Sequence, residues 1–332
     1  MRATIREVAT HARVSRMTVS NVLRGRDSEA SPQTRERVLA SVRALGYVPV
    51  TPPSKQRAHT PTRIIGLFYE EVKLDEYWGF QTSRGLHEGA IEHNYDLLTM
   101  LRSRSNHVMG EEELRFLDRR SDGFIFLAPT GQEGVLRMLV QHDIPVVTAF
   151  TDEKVEGVSS VTLDNEGAMK LAVQHVVEAG HKKLAFINWP LTRSDFRDRR
   201  SGFEKAAKAC GCRPLIVNTT TPNWSEEVLQ LIAQKKISAV ICNSDYSAWE
   251  LLRVAAENNL HAPRDFSIVG MDDIPQIASL GLTTIAYSPG EIGRRAMEAI
   301  TYRLAGDEAG QCNFVVPVEL RARTSVAPPK KS

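Results

Sequence analysis

The chain has 332 residues, of which 42% are apolar and 25% are charged, and its formal net charge is +2. These values predict a soluble globular protein, and no apolar run is long enough to predict a membrane-spanning helix. No secretory leader precedes the first helical pattern, so we expect a cytoplasmic location and no membrane partner.

Two short helices are predicted in the stretch TIREVATHARVSRMTVSNVL, residues 4–23. Apolar residues recur at helical spacing on either side of a break at residues 13–15. They are Ile5, Val8, Ala9 and Ala12, then Val14, Val19, Val22 and Leu23. Thr4 with Glu7 predicts a capping box for the first helix, and Ser15 is placed to cap the second.

A third helix is predicted after Ser31, which caps it, and Pro32, which takes the first helical position. Its apolar face consists of Val38, Leu39, Val42 and Leu45. Gly46 ends the pattern. Three short helices around one small core predict a helix-turn-helix module.

The charge distribution indicates what this module contacts. Residues 1–58 contain eleven Lys and Arg against four Asp and Glu, a net of +7, so the remainder carries −5 to reach the total of +2. A basic head on a mildly acidic body is typical of a protein that neutralises phosphates with one end. A solvated helical face is the alternative, but it does not explain why charge, caps and spacing agree.

The second helix is predicted to enter the major groove of double-stranded DNA. Arg16 is suited to bind guanine O6 and N7, and Asn21 to pair with adenine or a phosphate. Met17 either packs on a thymine methyl or is partly buried against the first helix. Thr18 and Ser20 are expected to position the helix on phosphates.

From Arg63 onward, short apolar runs alternate with amphipathic stretches. Near-continuous apolar runs are expected of strands covered on both faces. The runs are RIIGLFY, YDLLTML, GFIFLAP, PVVTAF, SVTLD, KLAFINW, PLIVNT, AVICNS, FSIVGMDD and TTIAYS, with helical patterns around 80–94, 165–180, 196–211 and 247–260. This order predicts an α/β core of two parallel-sheet lobes, with a ligand cleft beyond the carboxyl ends of the strands.

Catalytic signatures are missing from the sequence, which has no GxGxxG, GxxxxGK[ST], GxSxG or HExxH motif. Asp272 and Asp273 are adjacent, but neighbouring strand residues point to opposite faces, so we do not expect them to share a substrate. The four cysteines show no zinc spacing and are expected to be reduced thiols: Cys210, Cys212, Cys242 and Cys312. We therefore expect no enzyme activity, no cofactor and no metal.

The sequence resembles the lactose-repressor (LacI/GalR) family of bacterial regulators at four separated places. The segments are TIREVATHARVSRMTVSNVL, SPQTRERVLASVRALGYVP, GHKKLAFI and RDFSIVGMDD. The resemblance implies an N-terminal all-α helix-turn-helix domain, a hinge and a two-lobed core that is periplasmic binding protein-like. It also implies a homodimer on a near-palindromic operator, with DNA affinity controlled by a small effector and repression as the commonest arrangement.

The resemblance also implies an effector site in the cleft. Arg199 in RRSGF matches the family's cleft arginine, Asp245 in NSDYSA and Asp272 in GMDD match its carboxylates, and Trp224 in NWSEE matches an aromatic of sugar-binding members. Such groups satisfy hydroxyls and pack on a pyranose face, so a sugar or sugar derivative is the expected effector. The alternatives are capping of the following turns for the aspartates and ordinary packing for the tryptophan.

Other aromatic residues end strands or begin loops, where either burial or effector contact fits them: Tyr69, Tyr77, Trp78, Phe150 and Trp189. Of these, Tyr69 and Trp189 are included in the predicted effector site. The predicted DNA-binding residues are Thr4, Ser15, Arg16, Met17, Thr18, Ser20, Asn21, Lys55 and Arg57.

Three places depart from the family pattern. Arg13 stands where the family has a glycine between the head helices, and a left-handed arginine costs about 1 kcal/mol or more. Ser244 replaces an asparagine before Asp245. In the hinge, the family's asparagine, alanine, arginine and wedge leucine are replaced by Val50, Pro53, Ser54 and Gln56.

The hinge departure motivates a hypothesis about DNA bending. Glutamine at position 56 lacks the apolar wedge that unstacks a base step and kinks the duplex. We therefore expect the protein to bend its operator less than its relatives do, and to rely more on Arg16, Asn21 and phosphate contacts.

The predicted organisation has a head at 1–48, a hinge at 49–62 and a core at 63–327. Within the core, lobe 1 is expected at about 63–161 and 291–317, and lobe 2 at about 162–290 and 318–327. A solute-binding protein or an enzyme with the same core is the alternative, but the basic head argues against the first and the missing catalytic motifs argue against the second. The chain shows no C-terminal leucine heptads, so we expect a dimer and no tail-built tetramer.

Overall fold

The computed structural model describes residues 4–23, 30–45, 47, 61–69, 77–101, 115–189, 193–220, 222–306 and 312–330. The described residues form two compact units, the first from 1–64 and 102–122 and the second from 65–101 and 123–332. Lys55, Arg57 and the predicted hinge departures at positions 50, 53, 54 and 56 lie outside the described residues.

The first unit contains the three helices expected of the head, α1 (Ile5–Ala12), α2 (Arg16–Leu23) and α3 (Pro32–Ala44). Their starts are those the sequence indicates, because the Thr4–Glu7 capping box is complete and Ser31 accepts from the amide of Thr34. The helices share one small core: Val8, Ala9, Ala12, Val19, Val22, Val38, Leu39 and Tyr47.

The turn between α1 and α2 is left-handed at Arg13, with φ 52° and ψ 49°. Its amide donates to the carbonyls of Ala9 and Thr10, which closes the end of α1. Arg13 therefore has the left-handed conformation that is expected from the sequence at this turn. Glycine would adopt this conformation at a lower steric cost.

The second unit contains two six-stranded sheets. The first sheet has the order β11-β5-β4-β3-β1-β2 and is parallel in its pairings of β1, β3, β4, β5 and β11. Its strands are β1 (Ile64–Tyr69), β2 (Asp96–Leu101), β3 (Gly123–Leu127), β4 (Val146–Ala149), β5 (Ser159–Leu163) and β11 (Asn313–Val316).

The second sheet has the order β12-β10-β9-β8-β6-β7. Its strands are β6 (Lys183–Asn188), β7 (Arg213–Asn218), β8 (Ala239–Cys242), β9 (Ser267–Met271), β10 (Thr283–Ala286) and β12 (Glu319–Arg321). Five of these strands pair in parallel, whereas β12 joins β10 antiparallel, which the all-parallel expectation misses.

Helices cover both sheets, and we call each sheet with its helices a lobe. The first lobe has α4 (Tyr77–His93), α5 (Glu133–Gln141) and α11 (Pro289–Leu304). The second has α6 (Asn165–Glu178), α7 (Ser194–Ala209), α8 (Trp224–Ala233), α9 (Asp245–Glu257) and the short α10 (Pro275–Ala278). The chain crosses between lobes three times, after β5, after β10 and after β11.

All ten apolar runs form strands, but not all are covered on both faces. The central strands β3, β4, β8, β9 and β10 are buried throughout. The edge strands β2 and β7 have mostly exposed or partly covered residues and one buried residue each, because each strand has a neighbour on one side only.

Two helices of the first lobe pack unusually closely through glycines. A Cβ built on Gly85 of α4 would lie 1.9 Å from the carbonyl oxygen of Gly290, and one on Gly293 of α11 would lie 2.3 Å from that of Thr82. The backbones can approach this closely only because neither glycine carries a side chain. The position of α4, which begins beside the carboxyl ends of the first sheet, depends on this contact.

Candidate functional site: a DNA-reading helix and an inter-lobe cluster

The second helix of the head turns one face to solvent. Val19 and Val22 are buried in the small core, whereas Arg16 is exposed and Met17 has 71% of its surface exposed. Thr18, Ser20 and Asn21 are half-buried. Met17 is therefore not buried against the first helix, and its contact with DNA stays a prediction.

The two cap residues are engaged in local hydrogen bonds. The Thr4 hydroxyl accepts from the Glu7 amide at 3.3 Å and donates to its carboxylate at 2.9 Å. The Ser15 hydroxyl accepts from the Thr18 amide at 3.0 Å, so it caps α2 as expected. Both residues lie at helix N-termini, where backbone amides and the helix dipole favour a phosphate.

Arg199 joins two segments of the second lobe, one of which begins directly after the chain crosses from the first lobe. It lies on α7 with only 5% of its surface exposed. Its Nε donates to Oδ1 of Asn165 at 2.9 Å, where the chain leaves β5, and its Nη1 donates to the carbonyl oxygen of Asn243 at 2.7 Å, just after β8. Neither acceptor is a carboxylate, so the guanidinium is positioned by neutral oxygens.

Asp272 supplies the negative charge that faces this arginine. It directly follows β9, is 6% exposed, and accepts a hydrogen bond from the hydroxyl of Tyr287 at 3.1 Å. Burial raises the pKa of Asp272 to about 7, and the positive charge of Arg199 opposes that increase. The neighbouring Asp273 instead binds Arg323 at 2.6 Å, so the two aspartates do not share a site, as the sequence indicates.

A row of aromatic rings lies beside these charges. Trp78, at the start of α4, meets Phe150 edge-to-face with ring centroids 5.1 Å apart, and Phe150 meets Tyr287 at 6.5 Å. Phe150 follows β4 of the first lobe and Tyr287 follows β10 of the second. Phe196 on α7 stacks with the guanidinium of Arg199 at 5.7 Å.

Two further hydrogen bonds join the lobes at the same ends of the strands. The amide of Asp152 donates to the hydroxyl of Ser194 at 2.9 Å, and the amide of Tyr77 donates to the hydroxyl of Tyr246 at 3.4 Å. These two hydrogen bonds add to the ring contact of Phe150 with Tyr287 in joining the lobes at these strand ends.

Asp245 differs from the sequence expectation in its surroundings. It is fully buried, and its two carboxylate oxygens accept from the amide of Ile274 at 2.9 Å and the hydroxyl of Thr284 at 2.7 Å. The cap of α9 is Ser244, one residue earlier. Asp245 thus fastens the segment after β9 to β10 beneath the strand ends, which is a structural role, and it has no exposed surface for an effector.

The three remaining aromatic candidates are placed differently from one another. Tyr69 is buried at the end of β1, its hydroxyl is 3.1 Å from that of Ser83, and burial raises its pKa. Trp224 packs half-buried against the second lobe's core. Trp189, after β6, is 45% exposed and is the one of the three with an open ring surface.

The sequence interpretation missed three residues of the cluster: Asn165, Asn243 and Tyr287. Each lies within two residues of the end of an apolar run, which is the position where ligand-binding residues of parallel sheets are expected. Inspecting every polar residue at those positions would have found them. The structure brings Arg199 and Asp272 together with them and leaves Asp245 beneath.

Among the described residues, no helix is long and apolar enough to span a membrane. No group of three or more His, Cys, Asp or Glu side chains in the described part of the chain is arranged to hold a metal ion.

A three-helix head with an exposed reading helix, joined in one chain to a two-lobed α/β core with a polar cluster at its strand ends, defines a DNA-binding regulator with a periplasmic-binding-protein-like core. Comparison with known proteins agrees. Residues 4–50 match the model of bacterial regulatory proteins of the lacI family, and residues 173–326 match that of the periplasmic binding protein-like domain. The chain belongs to the lacI family of transcriptional regulators.

Curated relatives extend the likeness over nearly the whole chain. Catabolite control protein A of Staphylococcus xylosus is 27% identical, covering 98% of this chain and 100% of the relative. The HTH-type transcriptional repressor CytR of Escherichia coli (strain K12) is 29% identical, covering 97% of this chain and 96% of the relative.

Solved structures show the same fold. The transcriptional regulator CelR–cellobiose complex is 26% identical with a TM-score of 0.71, covering 98% of this chain and 100% of that chain. The lac repressor dimer bound to operator and the anti-inducer ONPF is 22% identical with a TM-score of 0.70, again over 98% and 100% of the two chains.

Proposed function

We propose that this regulator is a homodimeric repressor that binds a near-palindromic operator through its head and releases it in response to an uncharged sugar or sugar derivative. The observation that carries the proposal is the cluster of Arg199, Asp272 and Tyr287 at the strand ends of the second lobe, where the ring of Tyr287 meets Phe150 of the first lobe at 6.5 Å. A ligand that contacts these second-lobe groups and the first-lobe rings together changes the relative energy of lobe arrangements.

The DNA-binding part rests on the exposed face of α2. Arg16 and Met17 project from it, and the amino ends of α1 and α2 carry Thr4 and Ser15 with their local caps. We assign base contacts to Arg16, Met17 and Asn21, and phosphate contacts to Thr4, Ser15, Thr18 and Ser20. Lys55 and Arg57 are proposed phosphate contacts from the sequence alone.

The effector part rests on the combination of aromatic faces with paired charges. Arg199 and Asp272 offer hydroxyls both donors and acceptors, while Trp78, Phe150 and Trp189 supply apolar ring surface near the same strand ends. Three regulators of the same fold were solved with cellobiose, sucrose and ribose, which supports carbohydrate as the class to test first. Tyr69 and Trp224 are proposed to shape the site from behind.

The proposed mechanism is a coupling of two equilibria. An effector that binds one lobe arrangement more tightly than the other shifts the dimer toward it, and the separation of the two heads follows. Operator affinity changes by no more than the effector's differential binding energy for the two arrangements.

The test combines two measurements on the full chain. Selection of bound duplexes from a random pool should yield a near-palindromic site, and a thermal-shift screen of sugars, polyols, sugar acids and sugar phosphates should raise the melting temperature with at least one sugar. That sugar should then weaken binding to the selected duplex, and Arg199→Ala should abolish the response while leaving the selected sequence unchanged. A sugar that leaves DNA affinity unaltered would refute the coupling.

A further inference from the structure

A cluster of unpaired positive charge lies on the second lobe, away from the effector cluster. It consists of Lys182, Lys183, Arg213, Lys235 and Lys236, which we call the basic edge, and all five residues are exposed. They stand at the amino ends of β6 and β7 and in the turn that leads into β8. These three strands are neighbours in the sheet.

Direct contacts show that the basic edge is one surface. Lys183 and Arg213 are register partners on β6 and β7. The Nζ of Lys183 donates to the carbonyl oxygen of Lys235 at 2.8 Å, and the amide of Ser238 donates to the carbonyl oxygen of Lys183 at 2.9 Å. Strands in a sheet lie about 4.8 Å apart, so the charges crowd within a few strand widths.

The charges of the basic edge are not compensated. None of its five side chains forms an ion pair within 4.0 Å with a described residue, whereas Arg264 and Lys330, near the start of the adjoining β9, both bind Asp265. The residues beyond position 58 carry a net charge of −5, so this surface opposes the average of the core. Mutual repulsion of unpaired lysines stabilises nothing in the fold.

The basic edge cannot belong to the effector cluster. The amino ends and the carboxyl ends of parallel strands lie on opposite sides of a sheet. Arg199, Asp272 and Tyr287 lie at the carboxyl ends, whereas the basic edge lies at the amino ends. The basic edge is therefore a separate surface from the effector cluster.

Strand β7, which begins at the basic edge, offers an extended peptide a second means of binding. β7 is the last strand of its sheet, and no described strand pairs with its outer edge. Leu215, two residues after Arg213 and on the same face, is 37% exposed, and its register partner on β6 is Ala185. An extended peptide can add to such an edge through its main chain, while alternate side chains set the specificity.

We propose that the basic edge, with the outer edge of β7, is a docking surface for an extended protein segment that places acidic residues beside Arg213 and apolar residues further along, beside Leu215. An acidic segment neutralises the five cations, and its apolar residues cover Leu215. Duplex DNA fits less well, because a phosphate backbone offers nothing to an exposed leucine or to an open strand edge.

The experiment measures binding of the full-length protein to a fluorescein-labelled twelve-residue peptide, six aspartates followed by three valine–threonine pairs, by fluorescence anisotropy at low and physiological salt. The matched peptide replaces aspartate with lysine. The triple variant Lys183→Glu/Arg213→Glu/Lys235→Glu should raise the Kd for the acidic peptide about tenfold or more. Hydrogen exchange of residues 213–218 should slow when the peptide binds the unaltered protein.

A control variant separates local from overall charge, because the basic head also attracts an acidic peptide. Arg119→Glu/Arg137→Glu/Lys170→Glu makes the same change in net charge at exposed positions elsewhere, and it should change the Kd by less than about twofold. If the triple variant unfolds, Lys235→Gln/Lys236→Gln alters only the turn before β8 and should raise the Kd about threefold.

Three outcomes would overturn the docking surface. Equal weakening by both triple variants would mean that net charge alone attracts the peptide. Loss of binding to a non-operator duplex that matches the loss of peptide binding would make the basic edge a phosphate contact. Unchanged exchange of residues 213–218 in the bound state would rule out strand addition.

Discussion

Tyr287 donates its hydroxyl hydrogen to Oδ1 of Asp272 over 3.1 Å, and this bond joins a residue that follows β10 to one that follows β9. The carboxyl group it reaches is buried beside Arg199, and burial raises its pKa from the ordinary 3.8 to about 7. An ionisable group that changes charge near neutral pH thus sits at the centre of the proposed effector site.

Asp272→Asn should flatten part of the pH dependence of stability. The folded-state pKa lies above the unfolded one, so the folded protein holds an extra proton between about pH 4 and 7, and stability falls as pH rises through that window. The variant cannot ionise at this position and should lose that decline, worth about 1–4 kcal/mol. Melting temperatures of both proteins at pH 5 to 8 would show it.

The pH dependence of the Asp272→Asn variant has an internal reference, because the carboxyl group of Asp245 is unchanged in it. Burial also raises the pKa of Asp245 to about 6, so the Asn variant should keep a smaller decline over the lower half of the window. Parallel curves for the two proteins at every pH would contradict the assignment to Asp272.

Gly85→Ala should destabilise the second unit strongly. The added methyl would lie 1.9 Å from the Gly290 carbonyl oxygen, so α4 and α11 must move apart, at a cost of about 3 kcal/mol or more. Gly134→Ala on α5 is the matched control, since no atom lies within 4 Å of its added methyl. Thermal unfolding should show a lower midpoint for the first variant and an equal or slightly higher one for the control.

Arg13→Gly should stabilise the head. The residue occupies a left-handed conformation at φ 52°, which glycine adopts without steric cost, so a gain of about 1 kcal/mol is expected. Amide hydrogen exchange in α1 and α2 of the full chain should slow accordingly. Faster exchange would mean that the side chain of Arg13 contributes more than its backbone strain costs.

Arg16→Ala should relax base choice at one operator position. A bidentate contact to guanine is worth about 1–3 kcal/mol of discrimination, whereas Lys55→Ala or Arg57→Ala should weaken all sequences alike and reduce the salt slope by about one ion. Duplex selection with each variant, followed by affinity measurements at several salt concentrations, distinguishes the two kinds of contact. An unchanged preference in the Arg16 variant would remove it as a base reader.

Gln56→Leu should increase operator bending. Position 56 carries no apolar wedge, and a leucine there would resemble the family pattern that unstacks a base step. Circularly permuted fragments of the selected operator should migrate more unevenly with the variant than with the original protein. A pronounced central bend of the operator with the original protein would contradict the hypothesis.

The extent of prediction from sequence can be judged at particular residues. The starts of α1, α2 and α3 followed from Thr4, Ser15 and Ser31, because a cap is a contact between residues three apart and is written in the local sequence. Ten of the twelve described strands followed from continuous apolar runs for a similar reason, since a strand covered on both faces needs no polar alternation, whereas β11 and β12 were not predicted.

Asp245 shows where local information ends. Its motif suggested an effector ligand, but its oxygens bind Ile274 and Thr284, which lie 29 and 39 residues further along the chain. Burial of a carboxylate and the choice of its partners depend on which strands become neighbours. The strand order of the second sheet, with β12 antiparallel at its edge, is a property of the folded chain.

The amino-acid sequence alone determined the head, the alternation of strands and helices, and the basic charge at residues 1–58, because each depends on neighbouring residues or on composition. Only the tertiary structure decided that Arg199 joins Asn165 to Asn243, that Asp272 is buried beneath Tyr287, and that five separate cations form one edge. These relationships join residues far apart in the chain, and their energies exist only once packing has removed water and fixed the distances.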